Sequence, residues 1–97
     1  MHLITEAQVA ALLTPAEAFA AVEASLDRLA RGAVDNPMRV HVDVPGGVFA
    51  VMPCVDHELG YAGLKSFIWT PGGAPFVVVL FSIAGARLEA VVEAERL

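Results

Sequence analysis

The sequence predicts an α+β domain in which N-terminal helices pack on a mostly antiparallel sheet of about five strands. Three observations carry that prediction. Apolar residues recur at helical spacing near the N-terminus, the period changes to two after Pro37, and Pro/Gly clusters punctuate the remainder. With 97 residues the chain holds one domain, near the small end of what buries an adequate core unaided.

Thr5 opens a short helix, with Gln8 placed to close a capping box. Thr14-Pro15-Ala16-Glu17 is a stronger start, because Thr14 caps, Pro15 takes the first helical position and Glu17 closes the box. Phe19, Val22, Leu26 and Leu29 then form one apolar stripe. Arg28 and Arg31 suit the negative end of the helix dipole, and Gly32 supplies a left-handed stop, which predicts a helix over 15–31.

After Asp35-Asn36-Pro37, Met38, Val40, Val42 and Val44 alternate with Arg39, His41 and Asp43, the pattern of a half-buried strand. Val48 to Cys54 reads as its hairpin partner. A two-residue Gly46-Gly47 loop would pair Val44 with Phe49 and His41 with Met52. Arg39, His41 and Met52 would then share one face, with the valines and Phe49 on the other. Asp56 to Gly60 is a polar connection. Further strands follow at Tyr61–Trp69, Phe76–Ser82 and Arg87–Glu93, and Ala94 to Leu97 reads as the start of another helix.

Composition narrows the function. The hydrophobic fraction is 57% without glycine, whereas average domains reach roughly 45–50% with it. So small a chain has too little interior for that surface, so part of it is expected to face a partner. Six Lys+Arg against eleven Asp+Glu give a net charge of −5, and the cations are dispersed. Nucleic-acid binding needs a basic footprint, so that class is disfavoured. The mean hydropathy of +0.64 invites a membrane reading. However, the longest uncharged run, Ser66 to Ala86, is broken by Pro71-Gly72-Gly73-Ala74-Pro75. What remains is shorter than the roughly 20 apolar residues of a span, and no signal peptide is evident at Met1–Glu6. Cys54 is alone, which excludes an intrachain disulfide and fits a reducing compartment. The expectation is a cytoplasmic protein with no membrane or nucleic-acid partner.

Neither a G-x-G-x-x-G nor a G-x-x-x-x-G-K-[ST] motif occurs, so no cofactor-binding residue is assigned. His2, His41, His57 and Cys54 lack metal-site spacing, so no metal ligand is assigned either. Cys54 reads better as a small residue filling the sheet than as a nucleophile. Lys65 is the one local inconsistency. The only lysine, it lies inside Tyr61-Ala-Gly-Leu-Lys-Ser-Phe-Ile-Trp69, an otherwise apolar strand, and alternation puts it on one face with Tyr61, Gly63, Phe67 and Trp69. A buried ammonium is costly unless paired, and such violations are tolerated at functional sites. Desolvation also loosens a lysine's proton, which suits acid/base work on an amine or imine. The blander alternative is a lysine snorkelling from, or guarding, an edge strand. Arg39 can clamp a carboxylate with two parallel hydrogen bonds, or simply make a surface ion pair with Asp43. Together Lys65 and Arg39 suggest a site for a small amino or keto acid.

In order, Thr14-Pro-Ala-Glu-Ala-Phe-Ala-Ala-Val-Glu-Ala-Ser-Leu26, Asn36-Pro-Met-Arg-Val-His41, Pro45-Gly-Gly-Val-Phe-Ala-Val-Met-Pro53, Gly60-Tyr-Ala-Gly-Leu-Lys65, Val78-Val-Leu-Phe81 and Leu88 to Leu97 resemble the opening of ornithine cyclodeaminase/mu-crystallin proteins. The resemblance covers essentially the whole chain. It implies an NAD(P)-dependent homodimer of two-domain subunits, with a first-domain sheet that packs against the second subunit. By the same resemblance Arg39 binds substrate carboxylate, Met52 lines the pocket, and Lys65 contacts the reacting substrate as an acid/base or orienting group. The cofactor, NAD or NADP, would belong to a Rossmann domain and not to these residues.

Two departures qualify this. Pro71-Gly-Gly-Ala-Pro75 is shorter than the family's loop, which alters one wall of the site. The family's next feature, an Arg-Thr-Gly-Ala helix, would begin beyond Leu97. The expectation is therefore a single partial domain over 1–97, comprising the substrate-binding and dimerisation part of an oxidoreductase or lyase of amino-acid metabolism and inactive alone. The alternative is a standalone, non-enzymatic oligomerisation or small-carboxylate-binding module.

Overall fold

A computed structural model describes residues 1–95. Its elements run β1 (His2–Ile4), α1 (Glu6–Leu12), α2 (Pro15–Ala30), β2 (Val34–Asp35), β3 (Val40–Val44), β4 (Gly47–Asp56), β5 (Tyr61–Trp69), β6 (Phe76–Ser82) and β7 (Arg87–Glu93). The fold is α+β, as expected, with two helices and one open sheet among the described residues.

Both helices start where their caps dictate. The Thr5 and Thr14 side chains accept from the backbone N–H of Gln8 and Glu17, whose side chains accept in return from the cap N–H groups. At the end of α2, the N–H of Gly32 donates to the Leu29 carbonyl and that of Ala33 to the Arg28 carbonyl. This is the double closure expected where the chain leaves a helix through a left-handed glycine.

The strand order is β1-β7-β6-β5-β4-β2, with β3 also paired to β4. All pairings are antiparallel except β1 with β7. The sheet thus has seven strands, not five. β1 and β2 have three and two residues, too short for a period-two pattern to register, and both owe their strand character to longer neighbours.

The β3–β4 hairpin also differs from expectation. Val44 pairs with Gly47 and Val42 with Phe49, so the loop is Pro45-Gly46. Pro45 sets the first turn position, and Gly46 takes φ 79° at the second, the type II pattern. Gly47 cannot serve as a turn residue, because it lies in the strand where a Cβ would overlap the Trp69 carbonyl oxygen. The resulting shift is two residues, which preserves the face assignment. Thus Val40, Val42, Val44 and Phe49 still share one face, opposite His41, Ala50 and Met52. β3 begins at Val40, leaving Met38 and Arg39 outside the strand. Ala94 and Glu95 are not helical, and the rest of the helix expected there lies outside the described residues.

The helices sit at the margins of the sheet, α1 against β7 and α2 against β2. The Glu6 backbone N–H donates to the Glu93 carboxylate, and the Glu95 N–H to the Glu6 carboxylate, fastening α1. Arg28 fastens α2 by an ion pair to Asp56 at 2.7 Å, with both side chains only about 15% exposed. Arg31 reaches Glu58, and His57 meets Asp35 at 2.7 Å. The broad faces stay open. Among the described residues only Val9, Ala50, Ala90 and Ala94 are buried hydrophobics, while Phe19 on α2 is 71% exposed. The accessible surface is 6636 Å², against about 5,300 Å² for a compact monomer of this mass. The radius of gyration is 14.4 Å, against about 12.5 Å. Among the described residues no single helix is long and apolar enough to cross a membrane, and α1 and α2 meet at 91°.

Candidate functional site

The antiparallel register puts Met52 opposite Lys65 and Lys65 opposite Val78. One step beyond the last β3–β4 pair, Val40 with Val51, stands Arg39. Met52 and Lys65 therefore face each other across the β4–β5 ladder on the same face of the sheet, while Arg39 precedes β3 and lies outside the ladder.

Lys65 lies on a central strand, bonded to β4 on one side and β6 on the other. The edge-strand explanation for it is therefore excluded. It is half-buried, not fully buried, so the sequence overstated its desolvation. Its Nζ lies 5.0 Å from the centroid of the Phe76 ring, which in turn sits 4.7 Å from Phe67 across the β5–β6 ladder. The ring faces attract the ammonium and give it an apolar floor.

Beside it is an open hollow of about 250 Å³ lined by Met52, Cys54, Gly63, Leu64, Lys65, Val78 and Leu80. Gly63 helps keep it open, since a Cβ there would press on the Val79 carbonyl and Leu80. The Cys54 thiol is pushed up from its ordinary pKa by burial, and further by Asp56 and Asp35. That environment disfavours the thiolate, and the thiol lines the wall of the hollow. A larger hollow, about 410 Å³, lies between α1 and α2, but its lining from Val9 to Ala18 contains no ionisable side chain. Among the described residues no cluster of three His, Cys, Asp or Glu could hold a metal.

Of Arg39, Met52 and Lys65, singled out in the sequence, the ladder brings Met52 and Lys65 together and leaves Arg39 just outside β3. Sequence reasoning missed Cys54, Val78, Leu80 and Phe76. The first three follow from alternation once β4 and β6 are paired with β5, whereas Phe76 needed the exact span of the Thr70–Pro75 turn. His41 is exposed and pairs with Ala50, one row away from Met52.

The hollow beside Lys65 thus lies on one face of an open α+β sheet, between β4, β5 and β6. The chain's structural neighbours are ornithine cyclodeaminase and related NAD-binding reductases. A probable ornithine cyclodeaminase from Bordetella pertussis Tohama I superposes with a TM-score of 0.89 at 28% identity, over 98% of this chain and 30% of that one. An archaeal alanine dehydrogenase, a dimer with bound NAD, gives 0.88 at 28% identity, over 97% and 31%. The iminosuccinate reductase of Paracoccus denitrificans, in complex with NAD+, gives 0.90 at 25% identity, over 98% and 32%. The chain spans about 30% of the length of these neighbours. No protein-family model and no curated protein matches it. The resemblance read from the sequence thus holds at the level of the fold.

Whether these residues suit a dinucleotide is decided by their chemistry. Binding one takes a cradle of backbone N–H groups for the pyrophosphate, usually a glycine-rich strand-to-helix turn. The hollow beside Lys65 is walled by thioether, thiol and aliphatic groups on strands. That lining offers no such cradle.

Proposed function

We propose that the chain is the substrate-binding and dimerisation part of an NAD(P)-dependent enzyme of amino-acid metabolism, similar to ornithine cyclodeaminases and ketimine reductases. It works as a cytoplasmic homodimer, and the dinucleotide is held by residues other than these. Alone, the chain binds an amino or keto acid without turning it over. The observation that supports this most is the pairing of Met52 with Lys65 across the β4–β5 ladder, beside a hollow that both line.

In this reading the Arg39 guanidinium takes the substrate carboxylate in a two-pronged grip, and Met52 packs against the carbon chain. Lys65, seated over Phe76, donates to the substrate's nitrogen or keto oxygen and passes a proton there when the reaction requires one. The sheet supplies rigidity, since both carriers of the site, β4 and β5, are paired along their length.

Titration calorimetry with L-alanine and L-ornithine tests the reading. Binding should saturate, and Lys65→Met should weaken it about tenfold or more, the value of a charge-assisted hydrogen bond. Arg39→Lys should not restore what Arg39→Ala loses, because an ammonium cannot make the two-pronged grip. Heats that do not saturate, or an affinity indifferent to Lys65, would sink the proposal.

A further inference from the structure

Register and alternation divide the face that carries Lys65 into rows running across β4, β5 and β6. Met52, Lys65 and Val78 form one row, and Cys54, Gly63 and Leu80 form the next. On the other side of the Lys65 row stand Ala50, Phe67 and Phe76, whose two rings pack at 4.7 Å and close that end. The hollow of about 250 Å³ spans the Lys65 and Gly63 rows. At Gly63 the row has no side chain, which leaves a gap between Cys54 and Leu80. A ligand whose polar head is held at Lys65 can therefore lay its side chain over Gly63.

We infer that this gap is a specificity subsite for an uncharged aliphatic side chain of about four carbons. The acid bound is then an aliphatic 2-amino or 2-oxo acid, and neither a diamino acid nor a dicarboxylic one. The inference rests on the proposed function and names the substrate class of that same site. Alternate residues on a strand stand about 7 Å apart, so a butyl-length chain anchored at Lys65 ends over Gly63 and not beyond it.

Charge then decides between side chains of equal length. Among the described residues the lining carries one ionic side chain, Lys65, and no carboxylate. A second ammonium on the ligand would meet the like charge of Lys65, with no acid in the lining to offset it. The next row outward is Asp56, Tyr61 and Ser82. There the Asp56 carboxylate is already engaged, by the Arg28 guanidinium at 2.7 Å and the Leu59 N–H at 3.0 Å. A second carboxylate fares no better. Burial, with Asp56 and Asp35 adding to it, raises the pKa of the Cys54 thiol, so the wall at Cys54 opposes negative charge. An alkyl chain meets only thioether, thiol and aliphatic groups there, and covers apolar surface that water otherwise touches. Gly63 sets the room for it, because a Cβ would lie 3.0 Å from the Val79 carbonyl oxygen and 3.5 Å from the Leu80 side chain.

The test compares ligands that differ in charge but not in length. L-Norleucine and L-ornithine are isosteric, an ammonium replacing the terminal methyl. In titration calorimetry of the whole chain, L-norleucine should bind at least about tenfold tighter than L-ornithine or L-alanine, the lower end of what a methylene contributes in an apolar pocket. L-Aspartate should bind no tighter than L-alanine. Leu80→Asp sets a carboxylate beside the gap and should invert the order of L-norleucine and L-ornithine. Gly63→Ala should weaken L-norleucine and spare L-alanine. Backbone amide spectra report whether each variant folds, and the ligand series on the parent chain decides the matter if one does not. L-Ornithine or L-aspartate binding as tightly as L-norleucine, with affinity still lost in Lys65→Met, overturns the inference and leaves the proposed function standing. Binding indifferent to Lys65→Met, or no saturation with any of these acids, overturns both.

Discussion

Lys65 was conspicuous in the sequence because it is a charge inside an apolar run, and the fold sets it on a central strand. Being on a central strand, it guards no edge, and its ammonium rests over Phe76. Phe76 was not legible as its neighbour, because that contact depends on the length of a turn and not on any local pattern. Gly47 makes the same point about backbone. Its Cβ would overlap the Trp69 carbonyl, so Gly47→Ala should lower stability by about 3 kcal/mol in denaturant unfolding. An unchanged midpoint would mean the β4–β5 ladder is looser than described. Asp56 gives a pH signature. Its carboxyl is held below the usual 3.8 mainly by the Leu59 backbone N–H, with burial opposing and the Arg28 guanidinium adding to the depression. A carboxyl depressed on folding stabilises above its unfolded pKa, and that contribution vanishes as pH falls through the folded value. Asp56→Asn should therefore unfold at a lower temperature than the parent at neutral pH, with the gap closing below about pH 3.8. A gap of constant size from neutral to acid would contradict the pairing.

At the scale of elements, what the sequence revealed was whatever is encoded within a few residues. Both capping boxes and the boundaries of α2, β5, β6 and β7 follow from spacing and breakers, and the structure reproduces them. Thr14→Ala should cost about 1 kcal/mol, shifting the thermal midpoint by roughly 4–8 °C. A smaller shift would show that α2 is held mainly by the Arg28–Asp56 pair. Elements that depend on a neighbour stayed hidden. β1 and β2 exist because β7 and β4 offer edges, and three or two residues cannot advertise a period. The β3–β4 register was misplaced by two residues because Pro45-Gly46 and Gly46-Gly47 are both plausible turns. Only the close approach of Gly47 to Trp69 separates them. The pairing of Met52 with Lys65 became visible only with the β4–β5 register, which no local pattern sets.

For the whole molecule, the surplus of apolar residues noted in the sequence appears as open sheet faces and an uncovered α2 stripe. Burial elsewhere is too sparse to supply a large core, so the folded state should gain stability from association. The unfolding midpoint should then rise with protein concentration. A midpoint independent of concentration would indicate a monomer. The central claim is narrower, that the face carrying Lys65 and Met52 receives a small amino or keto acid. The most direct test is a titration of ¹³C-methyl-methionine protein with L-alanine and L-ornithine, following the Met52 resonance by NMR. The account predicts a saturable shift at Met52, with Met38 unmoved and the shift abolished in Lys65→Met. A Met52 signal that stays still, or that moves equally without Lys65, would contradict it.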